Sequence, residues 1–447
     1  MSDGALTGNA PPGSTTSRVS VSRLAPVSRL PVWPLSLMFG LTPLWWVLGG
    51  FYLFWPVGGA LLVAVLIRRG GVELPRVVGW WLAFLGLAVL SLFRLPIGGA
   101  WATPLLRLSF YLTALAVLGY VYLALREGTP WRQVFRPLMW FWLSLVALGW
   151  LGVLRPGFHM VTPVEVVLPN GVASNPFIQD LVHMFATEFS QVSNTPTRRP
   201  SAPFPYTNNW GSTFALLLPC VIAYLMSVRD GPLRKVLLVS LPLSLPPAFF
   251  TLNRGMFVSL GVVMLYVGMR ALARGNPRLV ASVVGLLLAV GVAWLVIPVD
   301  EMIAERVSES NTTTDRLGLY LETIQRVKES PLLGYGAPAA ADTTSAAAPV
   351  GTQGQVWLVM FSHGIPALLC FLAFFVVAMR RCARAVTPTG EWLATVPLAT
   401  LVQLPFYGVT FHNLSVAFFA LGLALAAVDG PVNRPVLFRR RPIGAAR

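Results

Sequence analysis

The sequence predicts an all-α polytopic membrane protein with about twelve transmembrane helices. Hydrophobic residues make up 55% of its 447 residues and charged residues only 11%, whereas a soluble domain carries roughly 25% charged residues. The mean hydropathy is +0.68. Long apolar segments alternate with short polar stretches, and each segment is about as long as a helix that crosses the hydrocarbon core.

The chain divides into one transmembrane domain and two terminal tails. Residues 1–32 are rich in Ser, Thr, Pro and Gly, which predicts a disordered cytoplasmic tail. Residues 33–430 form the predicted transmembrane domain, and residues 431–447 form a basic cytoplasmic tail. With roughly 15–25 residues allowed for each span, the predicted helices cover 34–49, 50–67, 77–93, 103–125, 138–154, 210–227, 236–250, 255–269, 279–297, 356–379, 392–407 and 413–428.

The distribution of Lys and Arg predicts the orientation of these helices. Every second connecting segment is basic, and cytoplasmic loops are the ones that carry an excess of Lys and Arg. Both termini are therefore predicted to be cytoplasmic, and the long loops 155–209 and 298–355 extracytoplasmic. This bias explains the net charge of +16 without nucleic acid as a partner.

The residue types that are missing narrow the possible functions. The twelve predicted spans contain no Asp, Glu or Lys, whereas ion-coupled transporters keep carboxylates at membrane depth. Ion-coupled transport is therefore disfavoured, although a passive or lipid-handling flippase remains open. The three cysteines show neither paired spacing nor a CxxC motif, so neither a disulfide framework nor a zinc site is predicted.

The second outer loop is predicted to contain an amphipathic helix. Thr314 is a suitable N-cap and Ser330-Pro331 a suitable stop. Arg316 then falls in the first turn, where the helix dipole favours an anion that a guanidinium can also bind. The alternative is a surface arginine balanced by Asp315. The apolar face comprises Leu317, Tyr320, Leu321, Ile324 and Val327.

The first outer loop is predicted to contain a second amphipathic helix, lying in the membrane interface. Asn175-Pro176 supplies a cap followed by a proline at the first helical position. Its apolar stripe comprises Phe177, Ile178, Leu181, Val182, Phe185 and Phe189. The opposite face carries Gln179, Asp180, His183 and Glu188.

A basic and aromatic segment follows this helix. Aromatic rings with neighbouring amides suit sugars, and paired arginines suit phosphate. The alternative is an ordinary belt of aromatic residues at the membrane interface. The candidate substrate-binding residues are Arg198, Arg199, Tyr206, Asn208, Asn209 and Trp210.

Three further ionisable residues lie within or beside predicted spans. Arg107, near an outer helix end, is explained by snorkelling to the interface. His363 precedes Gly364 and Pro366, which predict a kink, so it should face protein or a wet cavity. It is read either as a hydrogen-bonded packing histidine or as a catalytic one. Arg254 lies in a minimal outer turn that does not need an arginine, so we favour a binding role over snorkelling.

These motifs resemble the O-antigen ligase and O-antigen polymerase family. The likeness covers mainly residues 210–380 and rests on Asn253-Arg254-Gly255 at a helix start, Asp315-Arg316 with Tyr320, and the run from Ser330 to Gly336. The resemblance implies an integral glycosyltransferase of the bacterial inner membrane that assembles cell-envelope polysaccharide. Such an enzyme transfers a glycan from undecaprenyl diphosphate to an acceptor hydroxyl on the outer face, inverts the anomeric centre and needs no metal or other cofactor. By the same resemblance, Arg254 and Arg316 would hold the diphosphate.

The chain departs from the family at one place. Where the family usually carries a His-Asn pair before a late helix, counting back from Gly364 gives Gln353 and Gly354. A glutamine can orient a hydroxyl but cannot take its proton. The remaining candidate bases are His363, Asp315 and Glu309. Either another base acts, or stabilisation of the leaving group replaces it, or the chain is a catalytically silent family member. A flippase for a lipid-linked glycan is the competing class of function.

Overall fold

The computed structural model describes residues 29–70, 72–95, 101–169, 176–190, 197–275, 277, 312–340, 349–385 and 387–430. Both predicted tails lie almost entirely outside these residues, as does the predicted span 279–297. The first half of the chain contains a π-helical turn, Ser36–Gly40, and helices α1 (Trp33–Leu35), α2 (Thr42–Leu48), α3 (Phe51–Arg69), α4 (Val78–Leu92), α5 (Ala102–Arg126), α6 (Trp131–Leu154), α7 (Pro163–Val167) and α8 (Pro176–Val182).

The second half continues with longer helices. They are α9 (Thr207–Ser227), α10 (Pro232–Phe250), α11 (Arg254–Ala273), α12 (Thr312–Glu329), α13 (Gln355–Cys382), α14 (Pro388–Leu393), α15 (Thr395–Gln403) and α16 (His412–Asp429). Four short strands lie between α6 and α9: β1 (His159–Met160), β2 (Met184–Phe185), β3 (Thr187–Ser190) and β4 (Thr197–Pro200). They form two antiparallel pairs, β1 with β2 and β3 with β4.

Within the described ranges, eight helices are long and apolar enough to cross a membrane: α3, α5, α6, α9, α10, α11, α13 and α16. The chain is therefore a mostly helical, multi-pass membrane protein. The predicted span 77–93 falls on α4, which has 15 residues. The predicted spans 34–49 and 392–407 each fall on interrupted helical segments instead of single long helices.

Prolines explain both interruptions. Pro43 has no N–H to offer the carbonyl of Phe39, four residues earlier, and the hydroxyl of Thr42 donates to that carbonyl instead, at 3.0 Å. Pro397 likewise has no N–H for the carbonyl of Leu393, where α14 ends. Neither apolar segment therefore forms one continuous helix.

Aromatic packing holds the centre of the bundle together. Trp81 of α4 is fully buried against Phe374 of α13 and Phe418 of α16, with ring centroids 5.1 and 4.6 Å away. At Gly422 of α16, a Cβ would lie 2.9 Å from the carbonyl oxygen of Leu118 on α5. A small residue at this position lets the two helix backbones approach closely.

The first outer loop differs from the prediction. Helix α8 begins at Pro176 as predicted, with Asn175 outside the described residues, but it ends at Val182. The following residues form β2 and β3, because pairing with β1 and β4 satisfies their backbone groups. Leu181 and Val182 are buried in the protein core, so this helix packs on the bundle and does not lie free in the interface.

The second outer loop is also only partly as predicted. Helix α12 ends at Glu329, which confirms the predicted stop. It begins at Thr312, so Thr314 is not its cap and Arg316 falls in the second turn. Its buried face carries Leu319, Thr323 and Val327. From the predicted apolar face, Leu317, Leu321 and Ile324 are exposed.

Candidate functional site

Four long helices begin close together at one end of the bundle: α9, α11, α13 and α16. The Asn253 amide, at the start of α11, donates to the Asn208 carbonyl of α9 at 3.3 Å. The Tyr407 hydroxyl donates to Asn253 Oδ1, and the Tyr407 carbonyl accepts from the Gln355 N–H of α13 at 2.9 Å. Helix starts carry partial positive charge from the helix dipole, so this end of the bundle favours an anion.

Arg254 is the first residue of α11 and its side chain is exposed. Asn253 caps the helix by accepting from the Met256 N–H at 3.0 Å, while Thr251 and Leu252 complete the short connection from α10. No carboxylate among the described residues lies within ion-pair distance of the Arg254 guanidinium. Within the described residues, the Arg254 guanidinium is therefore an exposed cation that no carboxylate neutralises.

Gly255 explains why a glycine follows this arginine. A Cβ at Gly255 would lie 2.2 Å from the hydroxyl oxygen of Tyr407 and 2.5 Å from its ring. The glycine therefore lets Tyr407 pass directly over the start of α11 and hold Asn253. The Arg-Gly pair combines an exposed cation with a closely packed backbone.

Helix α12, which carries Arg316, lies next to the start of α13. The ring of Tyr320 stacks on Trp357 with centroids 4.4 Å apart, and the Trp357 indole donates to the Pro405 carbonyl at 3.2 Å. Pro405 and Tyr407 belong to the connection that contacts the start of α11. Arg316 lies one turn before Tyr320; its side chain is outside the described residues, as is that of Asp315, and Glu309 lies outside them entirely.

Gln353 and Gln355 occupy different environments. Gln353 is half-buried in a bend before α13, and its amide donates to Thr352 Oγ1 at 3.4 Å. Gln355 is fully buried: its amide donates to the Tyr111 hydroxyl at 2.9 Å and accepts from the Val409 N–H and the Thr410 hydroxyl. Gln355 therefore clamps α5, α13 and the start of α16 together, a role that the sequence did not reveal.

His363 lies eight residues beyond Gln355, roughly 12 Å of helix rise. It is 7% exposed and its Nδ1 is 2.6 Å from the Ser91 hydroxyl of α4. Phe84 and Tyr111 pack edge-on against its ring. The structure does not bring His363 to the helix starts, and its contacts are those of a hydrogen-bonded packing histidine.

The predicted kink follows His363 and is filled by the Pro331-to-Gly336 segment. Gly364 has φ 83°, which interrupts α13. The freed carbonyls of Phe361 and Ser362 accept from the N–H groups of Tyr335 and Gly336, at 3.0 and 2.8 Å. The freed N–H of residue 365 donates to the carbonyl of residue 331 at 2.8 Å. Irregular backbone at membrane depth needs such partners.

Close backbone packing explains the glycines of this segment. A Cβ at Gly334 would lie 2.3 Å from the Phe361 carbonyl oxygen, and one at Gly364 would lie 2.4 Å from the Leu332 carbonyl oxygen. Both glycines also have positive φ, which side chains disfavour. The Pro-Leu-Leu-Gly-Tyr-Gly run is therefore a docking segment that holds the end of α12 against α13.

The two neighbouring arginines of the first loop point to opposite sides of the β3–β4 hairpin. Arg199 is 6% exposed and its Nη2 lies 3.3 Å from Glu188 Oε2. The same oxygen accepts from the Thr207 N–H, at the start of α9. Arg198 is exposed and donates to the Pro156 carbonyl at 3.2 Å. The pair therefore does not form one phosphate-binding fork.

The remaining predicted binding residues separate into surface and core. The Tyr206 hydroxyl donates to Asp180 at 2.7 Å, and partial burial together with that carboxylate raises the pKa of Tyr206, so the phenol stays protonated. Asn209 donates to the Tyr52 hydroxyl at 3.4 Å. Trp210 is fully buried and donates to the Leu145 carbonyl. Trp210 therefore lies in the core of the bundle, away from the surface where the sequence analysis had placed it.

A buried polar network that the sequence did not reveal lies beneath the helix starts. Asn413 donates to Ser212 at 2.7 Å, and Thr213 donates to Asn413 at 2.8 Å. Ser212 also donates to Gln403 of α15, and His412 Nε2 is 2.8 Å from the Thr213 hydroxyl. These bonds fix α9 against α15 and α16, which makes the end of the bundle that carries Arg254 a rigid platform.

No protein-family model matches the chain, and no curated protein matches it significantly.

Proposed function

We propose that this protein is an integral membrane glycosyltransferase of the O-antigen ligase or polymerase type. It transfers a glycan from a polyprenyl-diphosphate carrier to an acceptor hydroxyl, at the end of the bundle where α9, α11, α13 and α16 begin. The observation that carries the proposal is Arg254: an exposed guanidinium without a carboxylate partner among the described residues, fixed at a helix start beside three others.

The chemistry follows from the donor. Its anomeric carbon is already activated, because diphosphate becomes a good leaving group once its charge is neutralised. Arg254 would neutralise that charge through paired hydrogen bonds, with the helix starts adding partial positive charge. Arg316 would supply a second guanidinium, and the packing of α12 beside α13 supports this role. In the proposed topology, the site faces the extracytoplasmic side and the lipid tail enters between helices.

The acceptor would be positioned rather than strongly activated. Gln353 and Asn209 lie at the same end of the bundle and present amides that can orient a hydroxyl. A glutamine cannot take the proton, and His363 is hydrogen-bonded within the bundle. Stabilisation of the leaving group therefore supplies most of the proposed rate enhancement.

A flippase for a lipid-linked glycan is the second candidate. The interruption of α13 at Gly364 favours it, because transporters often use discontinuous helices at membrane depth. The docking segment, however, forms backbone hydrogen bonds with the residues of this interruption. These bonds favour a fixed interruption over one that moves during transport.

Reconstituted protein distinguishes the two functions. Purified protein in vesicles is given a defined polyprenyl-diphosphate oligosaccharide and a hydroxyl acceptor, and the products are separated by mass. The proposed glycosyltransferase activity predicts a lengthened or transferred glycan and released polyprenyl diphosphate. Transbilayer movement of intact donor without any new glycosidic bond would overturn it in favour of the flippase. Absence of both products would favour a catalytically silent protein.

The same assay tests the predicted independence from metal ions. Because guanidinium groups and helix starts are proposed to balance the diphosphate charge, chelation with EDTA should leave the transfer rate unchanged. A parallel sample with added Mg²⁺ serves as the control. Loss of transfer in EDTA, restored by the cation, would contradict the arginine-based mechanism.

A further inference from the structure

The end of the bundle opposite Arg254 contains an open cleft of about 520 Å³. Helix α13, which has 28 residues, begins near Arg254 and ends at this cleft. Helices α5 and α16 also end here, and the segment before α4 forms the remaining wall. The lining residues are Leu74, Pro75, Arg76, Tyr122, Arg126, Arg381, Arg384 and Asp429.

The cleft carries more positive than negative charge. Its single carboxylate, Asp429, accepts from Arg381 at 2.7 Å and from the Tyr122 hydroxyl at 2.8 Å. Arg126 donates to the Asp429 carbonyl at 3.0 Å, and it lies over the Tyr122 ring. Arg126 and Arg381 thus balance the aspartate and the negative helix ends.

Two of the four arginines that line the cleft do not contact Asp429. Arg76 and Arg384 are both exposed, and no carboxylate in the described part of the chain lies within ion-pair distance of either. They lie on different walls of the cleft, one before α4 and the other after α13. A ligand between them would therefore meet two cations and the open volume of the cleft.

The position of the cleft indicates the source of its ligand. Helix α5 has 25 residues, about 37 Å of helix rise, which exceeds the roughly 30 Å hydrocarbon core. With the helix centred on the hydrocarbon core, its last residue, Arg126, reaches the lipid headgroups, and so does the cleft that it lines. Basic pockets between helices at this depth suit phosphate headgroups.

We propose that this cleft binds the phosphate headgroup of an anionic membrane phospholipid, with Arg76 and Arg384 as the two groups that contact the phosphate. The acyl chains lie along the neighbouring apolar helices. The site is independent of the proposed transfer reaction, which takes place at the opposite end of the bundle.

Binding is tested on the full-length protein in neutral detergent by native mass spectrometry and lipid titration. Phosphatidylglycerol is the probe and phosphatidylcholine the zwitterionic control. The double variant Arg76→Gln/Arg384→Gln is compared with Arg68→Gln/Arg380→Gln, which removes two exposed arginines from nearby helix ends that do not line the cleft. The single variant Arg384→Gln serves if the double variant is unstable.

The proposal predicts that the cleft variant loses about tenfold in affinity for phosphatidylglycerol, while the control stays within about twofold of the unchanged protein. An equal loss in both variants, or equal binding of phosphatidylcholine, would overturn it. In a second arm, inorganic phosphate and glycerol phosphate are titrated at constant ionic strength. If they compete fully with the lipid at similar concentrations, the cleft binds soluble phosphate compounds instead and the lipid proposal fails.

Discussion

The β3–β4 hairpin and the α10–α11 turn both present arginines at the same end of the molecule, but they use them differently. In the hairpin, Arg199 is buried against Glu188, whose carboxylate also binds the start of α9. In the turn, Arg254 is exposed above a capped helix start. Arg199 is therefore a structural residue, whereas Arg254 has no carboxylate partner among the described residues. What matters is whether the fold has already supplied a carboxylate.

The largest effect on the transfer rate is expected when Arg254 is removed. Arg254→Ala should lower the transfer rate by at least about 100-fold, because it removes a charged donor from the leaving group. The midpoint of thermal unfolding should change little, since the side chain is exposed. Arg155→Ala, another exposed arginine at this end, is the matched control and should retain activity. Full activity of Arg254→Ala would refute its proposed role.

The close packing of Gly255 against Tyr407 can be tested in a variant that keeps the charge of Arg254. In Gly255→Ala, the new Cβ would overlap the Tyr407 ring and displace the turn. We expect a loss of about tenfold in transfer from misplaced Arg254. Gly261→Ala in the same helix, where a Cβ meets no other atom within 4 Å, is the control. Equal activity of the two variants would show that the position of the turn does not matter.

Arg199→Ala should affect folding more than chemistry. Removal of Arg199 leaves the partly buried Glu188 without its cation, which we expect to cost about 2 kcal/mol in the free energy of unfolding. Folded protein should retain transfer within about threefold of the unchanged rate, well below the expected loss for Arg254→Ala. A large loss of transfer with unchanged stability would instead place Arg199 at the donor.

The smallest effect is expected at Arg198. Arg198→Ala removes an exposed hydrogen bond to the Pro156 carbonyl, so the free energy of unfolding should change by less than about 1 kcal/mol. Chemical denaturation of both arginine variants in the same detergent gives the comparison. If Arg198→Ala proved more destabilising than Arg199→Ala, the assignment of structural and surface roles within the hairpin would be reversed.

Local sequence signals predicted those features whose causes are local. Proline at position 176 marked the start of α8, Ser330-Pro331 marked the end of α12, and Gly364 with Pro366 marked the kink in α13. Each depends on the conformational limits of a few neighbouring residues. The long apolar segments were predicted from local composition instead, and eight candidate membrane-spanning helices are found among the described residues.

Features that depend on distant partners were missed. The β3 strand was read as part of a helix, because its pairing with β4 is absent from the local hydrophobic period. The burial of Trp210 against α6 was not predicted either. The burial of Gln355 depends on Tyr111 and Thr410, which lie far away in sequence. The hydrophobic periodicity and the composition of a segment contain no information about contacts with residues far away in sequence.

The central claim is that Arg254 and Arg316 hold one diphosphate, and a double-mutant cycle on its binding tests this most directly. Undecaprenyl diphosphate is titrated against the unchanged protein, Arg254→Ala, Arg316→Ala and the double variant. We predict that each single change weakens binding at least about tenfold, and that the double variant loses less than the product of the two, because both groups contact one ligand. Unchanged binding in either single variant, or two losses that simply multiply, would contradict the shared site.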